Sequence, residues 1–354
     1  MGVPNGGFDG TMKYFEAHDI TQYKDADGKT PEILLIDGNR TAGKTTAFSS
    51  KFVRDFLERG KKFMLLYRYQ NELNNISESF FKDIKALFFP QDEMTEKNRS
   101  NGAYVELFLN GVSCGYAVAL NTAAKLKHYS HIFSDVEQIL FDEYQLESGF
   151  YIHNEIEKFQ SLHLTVARGR GQAVRFVPVY MLSNSVSIFN PYYDAFGIAK
   201  RINSKTKMLR GRGFVLLRLT LKEIAKAQEE SAFNRAFAGS RYMESATDNA
   251  FLNDETYNIQ KLSTADFRPE LSFVENGKTF TLYSRGDVYH VKKTGAIPGV
   301  PLYGVHISDR SGEARSIRFS YIFGKLQALY SNGSISFSDT ESKRVFLDFL
   351  FDRG

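Results

Sequence analysis

Apolar residues in the first two-thirds of the chain form short runs that are separated by segments of helical length. Four runs are predicted to be buried strands, at residues 32–36, 63–67, 138–141 and 177–182. Phenylalanines that recur every four residues before Gly60 predict a helix over residues 45–59, and a second helix is predicted over residues 71–89. Strands that alternate with helices are typical of an α/β domain with a parallel sheet.

The pattern changes after about residue 220. Residues 219–245 are polar with helical periodicity, which predicts a linker or lid. Turn signals at Asn276-Gly277 and Arg285-Gly286 predict hairpins, and two helical stretches follow them. We therefore predict four parts: an N-terminal extension (1–31), an α/β domain (32–219), a linker (220–255) and a small α+β domain (256–354).

The composition is that of an ordinary soluble globular protein, with 42% hydrophobic and 24% charged residues among 354. A single cysteine, Cys114, excludes an internal disulfide and is predicted to be buried. We find neither a signal peptide nor an apolar run long enough to cross a bilayer, which predicts a cytoplasmic protein with no membrane partner. The seven histidines do not stand at metal-ligand spacing with cysteines or acids.

The net charge of only +4 is a weak argument for a nucleic-acid partner, but one segment is strongly basic. Residues 200–213 contain six cations and no acid, namely Lys200, Arg201, Lys205, Lys207, Arg210 and Arg212. Three interpretations stay open for this run: a solvated surface, a contact to a DNA phosphate backbone, and a docking patch. A DNA contact would tolerate any sequence, because the chain has no recognisable base-reading module.

The segment GNRTAGKT, residues 38–45, matches the phosphate-binding pattern G-x-x-x-x-G-K-[ST] at every fixed position. Its glycines let backbone N–H groups surround a phosphate, Lys44 reaches the β- and γ-phosphates, and Thr45 offers a hydroxyl to Mg²⁺. Arg40 is either a solvated loop residue or a second cation near the γ-phosphate, and we favour the second interpretation. The predicted nucleotide-binding residues are Gly38, Asn39, Arg40, Thr41, Ala42, Gly43, Lys44, Thr45 and Thr46.

The segment ILFDEYQ is an apolar run that ends in two acids, as in the Walker B motif. Asp142 is predicted to hold Mg²⁺ through water, and Glu143 to orient or deprotonate the attacking water. Asn184 follows the next predicted strand, where ligands bind in open α/β sheets. It is either the start of a turn or a contact to the γ-phosphate, and chemistry alone favours the turn.

Several cations have no partner nearby in the sequence. Arg168 and Arg170 lie on a glycine-flanked turn and are either solvated or arginine fingers that reach a neighbouring subunit. The same two interpretations apply to Lys127, for which a solvated position is favoured. Arg68 follows a predicted strand and either lies near the nucleotide or pairs with an acid.

The order of these motifs resembles that of the genome-packaging ATPases of small tailed bacteriophages. These are terminase-like ring motors of the additional-strand, catalytic-glutamate (ASCE, RecA-like) branch of P-loop NTPases. The resemblance covers about residues 32–200 and rests on the segments GNRTAGKT, YRYQNEL, ILFDEYQ, TVARGR and LSNSVSIFNPYY. It implies a Mg²⁺-dependent ATPase in which the phosphate loop and the acidic strand end have the roles given above.

The resemblance also assigns roles that spacing alone leaves open. It implies that Asn184 couples phosphate loss to movement, that Arg168 acts in trans, and that Lys127 is a second trans-acting cation. Gln70 stands where the family often has a cation, which leaves a DNA contact at that loop unsupported.

The implied function is a motor that hydrolyses ATP to move double-stranded DNA through the portal into a procapsid. Its implied partners are DNA, the portal and other copies of the chain in a ring, pentameric when assembled; a packaging RNA is left open. Such a motor would act in the cytoplasm of the infected bacterium, transiently at the portal vertex, and would be absent from the mature virion.

The resemblance further implies an RNase H-like C-terminal domain. A nuclease of this kind needs several carboxylates around two metal ions, whereas Glu275, Asp287 and Asp309 are scattered in the sequence. We therefore expect a vestigial nuclease. The alternatives are a packaging terminase with an active nuclease and a non-hydrolysing, nucleotide-dependent assembly module; a helicase is favoured less, because no base-stacking signature is present.

Overall fold

The computed structural model describes the chain between residues 15 and 351, with gaps. The described residues are 15–40, 42–74, 76, 80–147, 151–168, 174–188, 190–199, 201–202, 206–221, 225–226, 229–236, 258–309, 321–331 and 333–351. The chain divides into two compact units. The first comprises Met1–Leu146, Glu155–Val186 and Phe196–Leu252, and the second Glu147–Asn154, Ser187–Ala195 and Asn253–Gly354. The domain boundaries given above stay predictions.

A nine-stranded sheet forms the centre of the first unit, in the order β3-β4-β5-β2-β6-β7-β1-β9-β8. Its strands are β1 Ile33–Gly38, β2 Lys62–Tyr67, β3 Met94–Arg99, β4 Tyr104–Leu109, β5 Val112–Ala119, β6 Val136–Phe141, β7 Val179–Ser183, β8 Met208–Gly211 and β9 Phe214–Leu219. The six strands from β5 across to β9 pair in parallel. The outer strands pair antiparallel, with β3 and β4 on one side of the sheet and β8 on the other. The predicted α/β architecture with a mostly parallel sheet is confirmed.

The strand order decides which residues meet. Strand β7 lies between β1 and β6, with Asp37 paired to Ser183 and Met181 paired to Phe141. The loops that follow these three strands therefore leave the same edge of the sheet side by side. We call this the carboxyl edge.

Helices connect the parallel strands. The described helices are α1 Lys44–Arg59, α2 Lys82–Phe88, α3 Ala123–Leu126, α4 Glu155–Val166, α5 Pro191–Ala195, α6 Ala232–Arg235, α7 Tyr321–Ser331 and α8 Thr340–Phe351, of which α5, α7 and α8 belong to the second unit. Helix α1 buries Phe48, Phe52 and Val53 against the sheet and ends at Gly60, which has a left-handed φ of 68°. No helix in the described part of the chain combines the length and apolarity needed to cross a bilayer.

The continuous helix predicted over residues 71–89 is wrong. The chain forms a 3₁₀ turn at Gln70–Leu73, and Asn74 then has extended backbone angles, with φ −76° and ψ 133°. The Glu72 carboxylate causes the tight turn, because it accepts the backbone N–H groups of Arg68 and Tyr69 at 2.9 and 2.7 Å. The α-helical part near the end of the predicted range is α2.

The second unit contains a five-stranded sheet in the order β13-β10-β11-β12-β14. Its strands are β10 Arg268–Glu275, β11 Lys278–Arg285, β12 Val288–Thr294, β13 Leu302–Gly304 and β14 Ile335–Phe337. Strands β10, β11 and β12 form an antiparallel meander with turns at the two predicted positions. Stacked rings of Phe273 and Phe349, with centroids 5.0 Å apart, pack α8 against the meander.

Candidate nucleotide-binding site

The phosphate loop leaves the carboxyl edge directly after β1, the third strand from the β8 side of the large sheet. Gly43 precedes α1 with a left-handed φ of 79°, a backbone conformation that L-residues with side chains rarely adopt. A Cβ atom on Gly38 would lie 3.0 Å from the Leu219 carbonyl oxygen and 3.3 Å from Lys44 Nζ. Gly43 therefore suits its backbone angles, and a side chain at Gly38 would crowd its neighbours. Strand β1 before the loop and helix α1 after it confirm the predicted strand–loop–helix context.

The Lys44 side chain is folded back under this loop. Its Nζ donates to the carbonyl oxygens of Gly38 and Asn39 at 3.0 and 2.9 Å, and to Asn184 Oδ1 at 3.1 Å. The lysine is buried, and this burial lowers its pKa to about 8. A buried ammonium with only neutral acceptors is well suited to gain an anionic partner.

Asn184 reaches the lysine because β7 is the immediate neighbour of β1. Asn184 is half-buried at the carboxyl edge. A change at the phosphate loop therefore has a direct route to the segment that follows β7. The turn interpretation of Asn184, which chemistry alone favours, does not describe this contact.

The acidic strand end faces the first turn of α1. Thr45 Oγ1 donates to Asp142 Oδ2 at 2.6 Å, and the Glu143 backbone N–H donates to Asp142 Oδ1 at 2.9 Å. Burial raises the pKa of Asp142 above its usual range, although the Thr45 hydroxyl opposes this shift. The Glu143 side chain is exposed, and its backbone has a left-handed φ of 54°.

These groups fit a magnesium ion. Mg²⁺ is usually bound by one or two protein oxygens together with substrate phosphates and waters, and Thr45 and Asp142 supply a hydroxyl and a desolvated carboxylate. Groups of three or more His, Cys, Asp or Glu side chains placed to hold a metal do not occur among the described residues. A site completed by the nucleotide is therefore the arrangement that these residues favour.

Beneath the loop lies a buried network that the sequence analysis missed. Asp37 is fully buried in β1 and accepts hydrogen bonds from the Tyr144 hydroxyl at 2.6 Å and from Gln145 Nε2 at 3.0 Å. Gln145 Oε1 in turn accepts the Val186 N–H at 3.1 Å, and Ser183 Oγ accepts the Gln145 N–H at 3.3 Å. The network joins the ends of β1, β6 and β7. Its one sign in the sequence is Asp37, the single acid within an apolar strand.

Arg68 lies at the carboxyl edge, but its guanidinium is engaged with an acid. Its Nε and Nη2 donate to Glu155 at 3.0–3.1 Å, and Nη1 and Nη2 donate to the carbonyl oxygens of Glu143 and Tyr144. Of the two interpretations of this residue, the pairing with an acid is the one observed. Sequence reasoning missed Glu155, which lies 87 residues away along the chain.

The remaining loop residues contribute less distinct contacts. Asn39 is buried, and its side chain bridges to the backbone of Leu221, accepting the N–H at 3.1 Å. Ala42 is also buried, whereas Arg40 and Thr46 are half-exposed. Thr41 lies outside the described residues.

Arg168 is exposed. It lies near the amino ends of the parallel strands, opposite the carboxyl edge. The neighbouring Arg175 fixes this location, because its guanidinium donates to the carbonyl oxygens of Val136 at 3.1 Å and Val166 at 2.8 Å. Val136 is the first residue of β6, whereas the acidic pair follows the last. Six strand residues span about 20 Å, so Arg168 cannot reach the phosphate loop of its own chain. Arg170 lies outside the described residues.

The other predicted cations are surface residues. Lys127 is exposed in the 3₁₀ turn Lys127–Tyr129, within the connection from β5 to β6. In the basic run, Lys200 and Lys205 lie outside the described residues, and the exposed members are Arg201, Lys207, Arg210 and Arg212. Arg212 Nε lies 3.5 Å from an Asp27 carboxylate oxygen, so an acid from another segment faces this run.

A glycine loop around a buried lysine, beside a hydroxyl–carboxylate pair, is the arrangement expected of a nucleotide-phosphate site in an α/β protein. The chain belongs to the podovirus DNA encapsidation protein (Gp16) family, whose model matches residues 29–353. The DNA packaging protein of Bacillus phage B103 is 30% identical over 234 residues, which cover 65% of this chain and 67% of that protein. The DNA packaging protein of Bacillus phage phi29 is 29% identical over 251 residues, 70% of each chain.

A solved structure shares the fold. The Phi-28 gp11 DNA packaging motor aligns with a TM-score of 0.54 and 16% identity over 91% of this chain and 95% of that chain. The family match confirms the resemblance to phage genome-packaging ATPases and the predicted role in packaging viral DNA.

Proposed function

We propose that this chain hydrolyses ATP at the carboxyl edge of its large sheet and that the reaction drives double-stranded DNA through a phage portal into a procapsid. The observation that carries the proposal is the convergence of Lys44, Thr45, Asp142, Glu143 and Asn184 on one edge, from three separate strands. The strand between the phosphate-loop strand and the acidic strand, β7, supports assignment to the additional-strand, RecA-like branch of P-loop NTPases.

The chemistry follows from the positions of these side chains. Lys44 binds the β- and γ-phosphates, and Gly38–Thr46 wraps them with backbone N–H groups, with Arg40 as a further cation. Thr45 and Asp142 would hold Mg²⁺, which when bound would neutralise charge that develops on the phosphate oxygens. Glu143 orients the attacking water and accepts its proton.

Phosphate release is sensed through Asn184. Its amide oxygen accepts a hydrogen bond from Lys44 Nζ at 3.1 Å. A γ-phosphate competes for the same ammonium, so binding and release of phosphate alter the contact between Lys44 and the segment after β7. We propose that this alteration drives movement of one domain relative to the other.

The working unit is a ring, which we propose to contain five copies. Arg168 is separated from the phosphate loop of its own chain by the length of β6, about 20 Å, so a role in hydrolysis requires the loop of a neighbouring copy. Lys127, exposed on a connection of the same unit, is proposed as the second cation in trans. DNA is proposed to contact the basic run through Arg201, Lys207, Arg210 and Arg212. The portal, with or without an RNA component, anchors the ring.

We propose that the C-terminal domain is a vestigial RNase H-like nuclease without cleavage activity. Glu275 is nearly buried, and both its oxygens bind Arg344, with Nη1 at 3.0 Å and Nη2 at 2.5 Å. Asp309 accepts the backbone N–H groups of Asn276 and His306. Acids engaged in this way do not favour binding two catalytic metal ions. Metal-dependent nicking of plasmid DNA by the full chain would instead support the terminase alternative.

The first test is steady-state ATP hydrolysis by the full chain, with and without duplex DNA. Lys44→Ala should abolish ATP binding, and Glu143→Gln should bind ATP while losing turnover by about 10²–10⁴-fold, the usual contribution of a general base. DNA-stimulated turnover that both substitutions abolish would support the motor. Lys44-dependent ATP binding without any turnover, even with procapsids present, would favour the assembly-module alternative.

The trans role of Arg168 has its own test. Arg168→Ala should bind ATP normally but hydrolyse it slowly, because each ring site lacks the neighbour's arginine. Mixing this variant with Glu143→Gln should restore partial hydrolysis, since some sites then combine an intact Glu143 with an intact Arg168 from the next copy. A mixture no more active than the sum of its components would contradict action in trans.

A further inference from the structure

We propose that Arg68 is a positioning residue for ATP hydrolysis: its guanidinium holds the backbone of the Glu143–Tyr144 turn and thereby aims the general base. This inference rests on the proposed hydrolysis and deepens it. Arg68 itself does not touch the reacting atoms in this scheme. It acts through the Glu143–Tyr144 and Tyr144–Gln145 peptide units, whose carbonyl groups it binds.

The contacts of Arg68 with the turn are direct. Nη1 donates to the Glu143 carbonyl oxygen at 3.1 Å, and Nη2 donates to the Tyr144 carbonyl oxygen at 2.9 Å. The side chain is only 4% exposed, so water competes little for these bonds. Two successive carbonyl groups are therefore held by one planar cation.

The backbone of Glu143 needs such support. Its φ of 54° lies in the left-handed region, which is unfavourable for residues other than glycine and persists where the surroundings enforce it. The Glu143 N–H is held by Asp142 Oδ1 at 2.9 Å and its carbonyl oxygen by Arg68. Both ends of the residue are thus fixed, and the direction of its Cα–Cβ bond follows from that.

Arg68 is in turn held rigidly by its own neighbours. The Glu155 carboxylate, 1% exposed, accepts from Nε and Nη2, and the Phe141 ring centroid lies 5.3 Å from the guanidinium carbon. The Arg68 backbone carbonyl accepts the Asn121 N–H at 3.1 Å. A supporting residue that is locked by its surroundings can fix a catalytic group within the tolerance that catalysis requires.

The turn faces space in which a water molecule can be held. A cavity of about 380 Å³ opens beside the site, and Thr45, Arg68, Asp142 and Glu143 are among its lining residues. A small rotation of the Glu143 peptide would move its carboxylate relative to this space. Misplacement of a catalytic group by about 1 Å can cost about 100-fold in rate.

The purely structural alternative is that Arg68 only ties α4, through Glu155, to the end of β2. On that account, loosening Arg68 lowers stability and affects nucleotide binding and turnover together. A positioning role instead predicts a selective loss of kcat. The two accounts are separated by measuring stability, nucleotide Kd and kcat on the same variants.

The test variant is Arg68→Lys in the full chain, under the conditions in which the wild type turns over ATP. Lysine keeps the charge beside Glu155 but loses the planar fork that binds both carbonyl groups. We expect kcat to fall by about 100-fold, while nucleotide Kd changes by less than about threefold because uniform binding is intact. The matched control is Arg344→Lys, which loosens an Arg–Glu fork in the second unit and should lower Tm without changing kcat.

A double-mutant cycle with Glu143→Asp sharpens the result. Glu143→Asp already withdraws the carboxylate, so adding Arg68→Lys should cost much less than it costs alone. Effects on ln kcat that simply add would overturn the positioning role. If Arg68→Lys does not fold, Glu155→Gln loosens the guanidinium from the other side and should lower kcat in the same selective way.

The outcomes also separate this inference from the function on which it rests. A wild type that does not hydrolyse ATP, or hydrolysis that Glu143→Gln leaves intact, overturns the proposed function and the role of Arg68 with it. An active wild type silenced by Glu143→Gln, with Arg68→Lys at the wild-type kcat and a lower Tm, overturns the role of Arg68 alone.

Discussion

Two acids near strand ends, one in each compact unit, have opposite surroundings. Asp142 follows β6 and receives hydrogen bonds from a hydroxyl and a backbone N–H, both neutral donors. Glu275 ends β10 and forms a bidentate ion pair with Arg344, which also binds Asp348. Burial raises the pKa of Asp142, whereas the carboxylates of Glu275 and Asp348 raise the pKa of Arg344.

This difference distinguishes an acid that is suited to bind a ligand from an acid that stabilises the fold. A desolvated carboxylate with neutral partners is left in an unfavourable state that a metal ion relieves, so its cost to the fold is offset by binding. A carboxylate that already forms a fork with a guanidinium stabilises the fold and has little left to offer a metal. We therefore expect the two strand ends to differ in function, because the fold supplies a guanidinium to Glu275 and only neutral hydrogen-bond donors to Asp142.

Asp142→Asn is expected to give the largest effect. Removing the carboxylate that we propose to bind Mg²⁺ should lower ATP turnover by about 1,000-fold, because several kcal/mol of transition-state stabilisation would depend on the metal. The same change removes a buried charge, so the Tm of the nucleotide-free chain should rise. Steady-state kinetics and thermal unfolding without nucleotide measure the two effects, and a lower Tm would show that Asp142 supports the fold.

Glu275→Gln should behave in the opposite way. It breaks the fork with Arg344 and should cost about 2 kcal/mol of unfolding free energy, as expected for hydrogen bonds between charged groups. ATP turnover without DNA should stay at the wild-type level. A strong loss of turnover, or metal-dependent nuclease activity that this change abolishes, would remove the contrast between the two acids.

A third acid, Asp37, shows that acids with these two kinds of surroundings also occur together within the first unit. Asp37 lies under the phosphate loop, yet it is bound by Tyr144 and Gln145 and is predicted to support rather than to react. Tyr144→Phe should cost about 1 kcal/mol of unfolding free energy and lower kcat only modestly, as measured by urea unfolding and steady-state kinetics. Tyr283→Phe is a control, because the Tyr283 hydroxyl makes no hydrogen bond within the described part of the chain. Equal losses in both variants would show that the network contributes nothing.

The sequence could predict the parts of the site whose chemistry is local. The phosphate loop and the acidic strand end each depend on fewer than ten consecutive residues, and a parallel sheet brings such strand ends to one edge. The contacts of Asp37 with Tyr144 and Gln145 join residues 107 and 108 positions apart, and Arg68 and Glu155 are 87 apart. Without the strand order, nothing in the sequence indicates which of the many acids and arginines meet.

The smallest expected effect concerns the pH response of the second unit. His290 is buried in β12, where Nδ1 lies 2.8 Å from Ser336 Oγ, and Nε2 is buried without a hydrogen-bond partner in the described residues. Burial lowers the pKa of His290 below 6.5, and Lys292 adds to this, whereas Asp339 opposes it. The native chain therefore keeps this histidine neutral at a pH at which the unfolded chain begins to protonate it.

The sign of the effect follows by linkage. Below pH 6.5 the unfolded state binds more protons than the native state, so stability present above that pH is lost as the pH falls toward the lowered pKa. Hydrogen exchange of the β12 amides should accelerate between pH 7 and pH 5 after correction for intrinsic rates, and His290→Gln should remove the acceleration. Asp142 has the opposite sign, since its raised pKa means that acid relieves its buried charge. If the β12 amides become better protected in acid, His290 is not the titrating group. The two units would then not differ in the sign of the pH dependence of their stability.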